Sequence, residues 1–416
     1  MLAVSSSLGL RQDALMSDSK RPKLRLLETH AHEEDGQRGL LLADPEGLFD
    51  GQVFVPEGLL PVVVQFCGDK SFAEIAAELA EQYQQELEPE FVERIAAELR
   101  DKLCLEGPEV EALRAKRLAE YRSSPARPAT NAGSAGYPEG AEACASRLGE
   151  ILAELPATRD LSALVAPHID LLRGEEGYRA AYGALAASRK LEVYVVVGTG
   201  HRGSESVLVP TAKAYATPLG VVPVAEPIVN SAADALGAEV WDEEIRHLTE
   251  HSVEFQVLFL RYLHGSAELR IAPFLTGHCP DAPKSTELGR ALDAIAETIR
   301  DIGVERVGLI AGADLAHIGP FFGDLAPVSD EQLRLLREAD LRSLELYAKG
   351  DFDGFFADVE QNDNPRRICG TLPMYCVGKL RERLGLSLKS ELLHYGQALA
   401  PDRSQMVSFA SLAFWE

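Results

Sequence analysis

The sequence predicts a two-part α/β protein: a layered domain around a largely buried sheet, preceded by a small winged-helix-like α+β domain. Three observations lead there. From about residue 141 onward, apolar runs of strand length alternate with stretches of helical periodicity, the pattern of a sheet covered by helices. Before residue 107, short strand-like runs lead into three amphipathic helices. Between the two, Tyr121–Gly140 is rich in Pro, Ser, Ala and Gly and has no apolar period, so it reads as linker. The expected domains are 22–107 and 146–416, joined by 108–145.

In the first domain the strand-like runs are Leu24–Leu27, Gly39–Leu42 and Gln52–Val55, followed by an apolar helix candidate over Leu59–Cys67. A second helix opens at Ser71-Phe72-Ala73-Glu74, the spacing of a capping box in which serine and glutamate satisfy the first orphan amides. A third carries Phe91, Ile95, Leu99 and Leu103 on one face and stops near Gly107-Pro108. In the second domain the strand candidates are Leu161–Ala166, Leu191–Val197, Arg270–Phe274, Arg306–Ala311 and Met406–Phe414. Helical stretches between them include Gly177–Leu185, His251–Leu263, Glu287–Arg300 and Glu331–Ala348.

Composition narrows the function classes. A net charge of −24 argues against nucleic-acid or anionic-membrane surfaces, which need clustered Lys and Arg. No apolar run approaches the roughly 18–20 residues that span a bilayer. Met1–Lys20 lacks the basic start and apolar core of a secretory signal, and the six cysteines are scattered with no CxxC pair. Both point to a reducing cytoplasm.

The chemistry-bearing residues fall at predicted strand ends and helix starts. His168 follows Leu164–Pro167, and His201 follows Val195–Gly200. In open α/β sheets, ligands gather beyond the carboxyl ends of strands, so two imidazoles there are the beginnings of a metal site. His251 and Glu254, in Glu250-His251-Ser252-Val253-Glu254, share a helix face at i and i+3. Asp314 and His317 follow the strand ending at Ala311, and Cys369 sits just ahead of a helix begun near Thr371 and Pro373. A thiolate with two imidazoles suits iron, copper or zinc and not magnesium or calcium. Asp314 is placed to orient a ligand histidine, and His251, Glu254 and His317 are candidates for acid–base steps. His247 lies among Asp242, Glu243 and Glu244 and reads as solvated.

Gly198-Thr199-Gly200-His201-Arg202-Gly203 matches a dinucleotide fingerprint after a strand, but no helix opens there. Ser206–Pro210 reads as a short strand and Thr217-Pro218-Leu219-Gly220 as a turn, so no helix end would meet a pyrophosphate.

At six ordered pieces the chain resembles the Memo family, known in prokaryotes as AmmeMemoRadiSam system protein B. They are Ala166-Pro167-His168, Gly198-Thr199-Gly200-His201, Thr217-Pro218-Leu219-Gly220, Glu250-His251-Ser252-Val253-Glu254, Asp314-Leu315-Ala316-His317 and Ile368-Cys369-Gly370. The resemblance implies a fold similar to class III extradiol dioxygenases, with His168, His201 and Cys369 as metal ligands. Asp314 and His317 would line the pocket, with His251 and Glu254 nearby. It also implies iron or copper, with zinc ranked behind, and either redox chemistry or protein interaction. Leu40–Gly107, above all Gly68-Asp69-Lys70-Ser71-Phe72-Ala73-Glu74-Ile75, resembles the PqqD-like domains, which recognise peptides beside radical-SAM proteins.

The leading expectation is therefore a cytoplasmic, metal-dependent oxidoreductase with dioxygenase-like chemistry on a small-molecule or peptide substrate, with a radical-SAM partner at the first domain. The competing expectation is a non-catalytic peptide- or protein-binding protein whose pocket is a vestige. No nucleic acid or membrane partner is expected.

Overall fold

The computed structural model describes residues 21–34, 36–44, 46–49, 51–152, 159–265, 268–386 and 389–415. The reading of Met1–Lys20 lies outside them. Two compact units divide between Ser123 and Ser124.

The first unit runs β1 (Glu28–Glu34), β2 (Gln37–Ala43), β3 (Gln52–Pro56), α1 (Leu60–Val63), α2 (Phe72–Tyr83), α3 (Pro89–Asp101) and α4 (Pro108–Ser123). The strands form an antiparallel β1-β2-β3 sheet. Val55, Val63, Phe66, Ile75, Val92 and Leu99 share its core with Cys104 and Leu105. The capping box forms as expected. Ser71 Oγ accepts from the Glu74 N–H, and the Glu74 carboxylate accepts from the Ser71 N–H at 2.7 Å. Two expectations need correction. The run Leu24–Leu27 makes only an isolated bridge at Leu24, and the strand begins at Glu28. The helix expected over Leu59–Cys67 ends at Val63 because the carbonyl of Phe66 and the N–H of Gly68 are taken by Leu24 and Pro22.

The second unit runs β4 (Ala126–Arg127), α5 (Ala141–Ile151), β5 (Leu161–Ala166), α6 (Glu175–Ala186), β6 (Val193–Thr199), β7 (Leu208–Pro210), β8 (Ala214–Thr217), β9 (Gly220–Val222) and α7 (Glu226–Leu236). A 3-10 stretch over Ala238–His247 leads to α8 (His251–His264), β10 (Arg270–Thr276), α9 (Thr286–Ile302), β11 (Val307–Gly312) and β12 (Asp314–Ile318). The chain then adds α10 (Asp330–Ala348), α11 (Phe352–Glu360), α12 (Thr371–Leu384), β13 (Lys389–Leu399) and β14 (Met406–Trp415). The main sheet has the order β12-β14-β5-β11-β6-β10-β7, with β13 on β14. Strands β5, β11, β6 and β10 are mutually parallel, while β14 pairs antiparallel with β5, β12 and β13, and β7 antiparallel with β10. Side chains alternate between two helical layers. On β6, Val193, Val195 and Val197 face the core built with α7, α9 and α12, whereas Tyr194 and Val196 face that of α5, α6 and α8.

The segment whose composition reads as linker is structured. Residues 108–123 form α4, and beyond Ser123 Arg127 is fully buried and Tyr137 nearly so. A composition count misses this because the segment is held by polar side chains and not by an apolar period.

Candidate metal centre

The parallel strands deliver the site. His168 lies two residues beyond β5, His201 two beyond β6, and Asp314 two beyond β11, where an α/β sheet gathers ligands. The first turn of α8 is set against the same ends. A Cβ on Gly198 would meet Ser252 Oγ at 2.4 Å, and one on Gly312 would meet the Ser252 carbonyl at 2.5 Å. Only glycine lets the helix start approach so closely, and this brings His251 to the site.

His168 is buried and doubly anchored. Its backbone N–H donates to Asp314 Oδ1 at 2.9 Å, and its Nδ1 donates to the Gly312 carbonyl at 2.9 Å. A carbonyl only accepts, so Nε2 carries the lone pair, 3.3 Å from Cys369 Sγ. Burial, reinforced by His201 and His251, pushes the pKa of His168 well down and keeps it neutral, as a ligand must be. His201 donates from Nδ1 to Glu250 at 3.0 Å and from its backbone N–H at 2.9 Å. Burial works against its charged form, but the Glu250 carboxylate and Cys369 raise its pKa well above the usual value. Cys369 is set by Gly370, whose N–H donates to the Asp314 carbonyl at 3.1 Å, and by Thr199 Oγ1, which donates to the Cys369 carbonyl at 3.0 Å. Burial pushes the thiol up, opposed by His201; a cation beside the sulfur would reverse that balance.

The donor atoms of His168, His201 and Cys369 all lie within 4.8 Å of one another. Metal–nitrogen bonds near 2.0–2.1 Å and metal–sulfur bonds near 2.3 Å set such atoms roughly 3.3–3.7 Å apart at tetrahedral-like angles. The 3.3 Å between His168 Nε2 and Cys369 Sγ falls in that range. The donor set therefore fits a soft or borderline metal and leaves coordination positions open. His201 and His251 side chains are each 34% exposed, so the centre is reachable from that side.

The remaining expected residues divide. The His251 ring stacks on His201 at 4.9 Å and 10° and meets His168 edge-on at 5.5 Å. Asp314 Oδ2 lies 3.7 Å from His168 Nε2, and burial raises this carboxyl to about 7. His317 holds its Nδ1 toward the carbonyls of Leu315 (3.0 Å) and Arg367 (3.2 Å), and burial lowers its pKa to about 4. Glu254 is set apart: its carboxylate pairs with Arg127 and accepts from Tyr137 and from Asn131 Nδ2 at 2.8 Å. That enclosure suits an anchor better than a proton carrier.

Sequence reasoning missed Glu250, although an acidic residue directly before an expected helix start is a capping signal. It missed Arg127 and Tyr137 because their segment reads as linker. His247 is a correction: it is fully buried, accepting from Tyr215 Oη at 2.7 Å and donating to the Val209 carbonyl at 2.8 Å. The acidic run around it misleads because the 3-10 stretch turns His247 inward together with Glu244, which accepts from Thr211 and Ala212.

The profile of the Memo-like protein family matches residues 127–413. The chain belongs to this family. A MEMO1 family protein of Pyrococcus furiosus is 31% identical over 289 residues, covering 66% of this chain and 94% of the relative. One from Thermococcus onnurineus is 30% identical, covering 63% and 90%, and one from Thermus thermophilus 29%, covering 62% and 74%. The Memo-like match thus spans the second unit and all the residues of the centre, and leaves residues 1–126 outside it.

Proposed function

We propose that this Memo-like chain is a non-haem metal-dependent oxidoreductase that holds iron or copper through His168, His201 and Cys369. The carrying observation is the convergence of one thiol and two imidazoles within 4.8 Å beyond the ends of parallel strands. A bound iron or copper ion supplies a redox couple and open positions for dioxygen or a substrate donor atom. Zinc suits the donors too, but adds no redox couple.

The chain's own groups handle orientation and protons. His168 and His201 each have Nδ1 committed to an acceptor, which aims both Nε2 atoms inward. Asp314, with its carboxyl near 7, holds or releases a proton beside His168 at neutral pH. His251, partly exposed and stacked on His201, is the group best set to exchange a proton with a substrate. A dioxygenase-like reaction on a small molecule or peptide agrees with this layout.

For the first unit we propose a PqqD-like role in peptide capture beside a radical-SAM partner. A cytoplasmic setting agrees with six free cysteines. Among the described residues no helix is long and apolar enough to cross a membrane.

A second reading, a binding protein built on a retired pocket, is favoured by one observation. Leu172, Phe321 and Leu325 are 69%, 56% and 104% exposed, on the loops that follow His168 and His317. Elemental analysis of protein purified without oxygen or chelator, beside His168→Ala, decides between the two. Near-stoichiometric iron or copper, lost in the variant, is expected. No metal in either, and none taken up on reconstitution, would move the function to binding; zinc without oxygen consumption would point to hydrolysis.

A further inference from the structure

Glu250 has a side chain only 3% exposed, and it is ringed by N–H groups. Its Oε2 accepts from the His201 N–H at 2.9 Å. Its Oε1 accepts from the His251 N–H at 2.8 Å and the Ser252 N–H at 3.0 Å. The same Oε1 lies 3.0 Å from His201 Nδ1 and 3.2 Å from His251 Nδ1. The His201 ring is hydrogen-bonded to this carboxylate, and the His251 ring lies beside it, parallel to His201 at 4.9 Å. With its Nδ1 held, His201 turns its Nε2 away from Glu250. The donors fall mainly on Oε1, which commits this carboxylate to orienting the turn, although Glu250 lies within ligand distance of His201 and His251.

The turn carrying Glu250 is itself pinned. Arg127 donates to the Glu250 carbonyl at 2.8 Å and to the His247 carbonyl at 2.9 Å, and its charge is balanced by Glu254. Asn131 closes on Glu254 from the side, its N–H donating at 3.1 Å.

We propose that Glu250 is the positioning residue of the centre. It fixes His201 as an Nε2 ligand and holds His251 parallel to it as the neighbouring proton-carrying group, with the Arg127–Glu254 pair as its buttress. This rests on the proposed metal reading. It gives Glu254 a mechanical role in place of an acid–base one.

The test uses the full chain with cobalt(II) as probe, which reports a thiolate ligand through a near-ultraviolet charge-transfer band. Glu250→Asn keeps an oxygen able to cap the helix but is one methylene too short to reach His201 Nδ1. Glu250→Gln keeps the length and loses one of the two acceptors. Both are expected to weaken cobalt binding roughly 10–100-fold while keeping the thiolate band, because Cys369 and His168 are untouched. In ¹⁵N-histidine spectra of the metal-free protein, a deshielded His201 Nδ1 proton, assigned with His201→Ala, is expected in the wild type, less deshielded in Glu250→Gln and absent in Glu250→Asn. Affinity within twofold of wild type in both variants, or survival of that proton in Glu250→Asn, overturns the proposal. Should Cys369→Ser keep the thiolate band, or the wild type take up no cobalt, the metal reading fails; the Nδ1 proton alone then decides whether Glu250 holds His201.

Discussion

Arg127 is a fully buried cation with each nitrogen engaged: Nε to His247, Nη1 to Pro128 and Glu254, and Nη2 to Thr130 and Glu250. Breaking such a pair leaves an uncompensated buried charge, at a cost of about 3–5 kcal/mol. Arg127→Met should lower the urea midpoint of the second unit accordingly, and Arg127→Met with Glu254→Gln should recover part of the loss. Losses in the double variant equal to the sum of those in Arg127→Met and Glu254→Gln would mean that the two charges are not coupled. A tighter steric limit acts at Gly198. Alanine there drives a methyl against Ser252, so about 1–3 kcal/mol of stability should be lost. Weaker metal uptake should accompany the loss; a variant with unchanged stability would show that α8 can retreat. At this scale His168 and His201, two of the candidate ligands, were legible because position beyond a strand has chemical meaning in this architecture. Glu250 and Arg127 were not, because their roles come from partners such as His201 and Glu254 that sequence spacing does not bring near.

The loop before α12 shows what an element spends to present one side chain. Asn362, Asp363, Asn364 and Arg367 have φ of 59°, 61°, 48° and 51°, the left-handed region that L-residues avoid. Asn364 clasps Ile368 with its side chain, accepting its N–H at 2.9 Å and donating to its carbonyl at 3.1 Å, next to Cys369. Arg366 ties the same loop to Asp340 at 2.9 Å and Ser343 at 2.8 Å on α10. Asn364→Ala should cost about 1–2 kcal/mol through its φ and more through the lost clasp, while Asn364→Gly relieves the first part only. Thermal melts of the two variants, read with their metal content, would separate strain from clasp; equal losses would dismiss the strain. The regular elements were read well where an apolar run or a helical period is unbroken, as on β6, buried on both faces, and α9, buried on one. Strands β12 and β13 escaped notice because their backbones are recruited by β14, with register shifts at Asp314/His317 and Leu392/His394 that break the alternation.

On the scale of the molecule, the first unit has its own core, so residues 21–123 expressed alone should give one cooperative urea transition. Glu46 is expected to contribute to its acid limit. Burial would raise the pKa of this carboxyl, but Arg114 and Arg25 outweigh burial and hold it at about 2 against an ordinary value of 4.5. A depressed carboxyl contributes stability above pH 4.5, lost as pH falls from there toward 2. The loss is at most about 3 kcal/mol and smaller after solvent screening of the part-exposed Arg114. Urea midpoints at pH 6 and pH 3 should differ in the wild type and converge in Glu46→Gln; parallel lines for the two would place the acid limit elsewhere.

Strand β14 lies hydrogen-bonded to β13 along one edge and to β12 and β5 along the other, although β5 precedes it by some 240 residues. It is also the last of the described strands to be synthesised. While the chain emerges from the ribosome, β5 waits with an open edge, and Cys369 reaches His168 only after most of the unit has been made. The first unit can form early, but the sheet that carries the centre closes late. Acquisition of a metal would then be a post-translational event, and the nascent second unit, with its strand edge unpaired, is where a chaperone would be needed most.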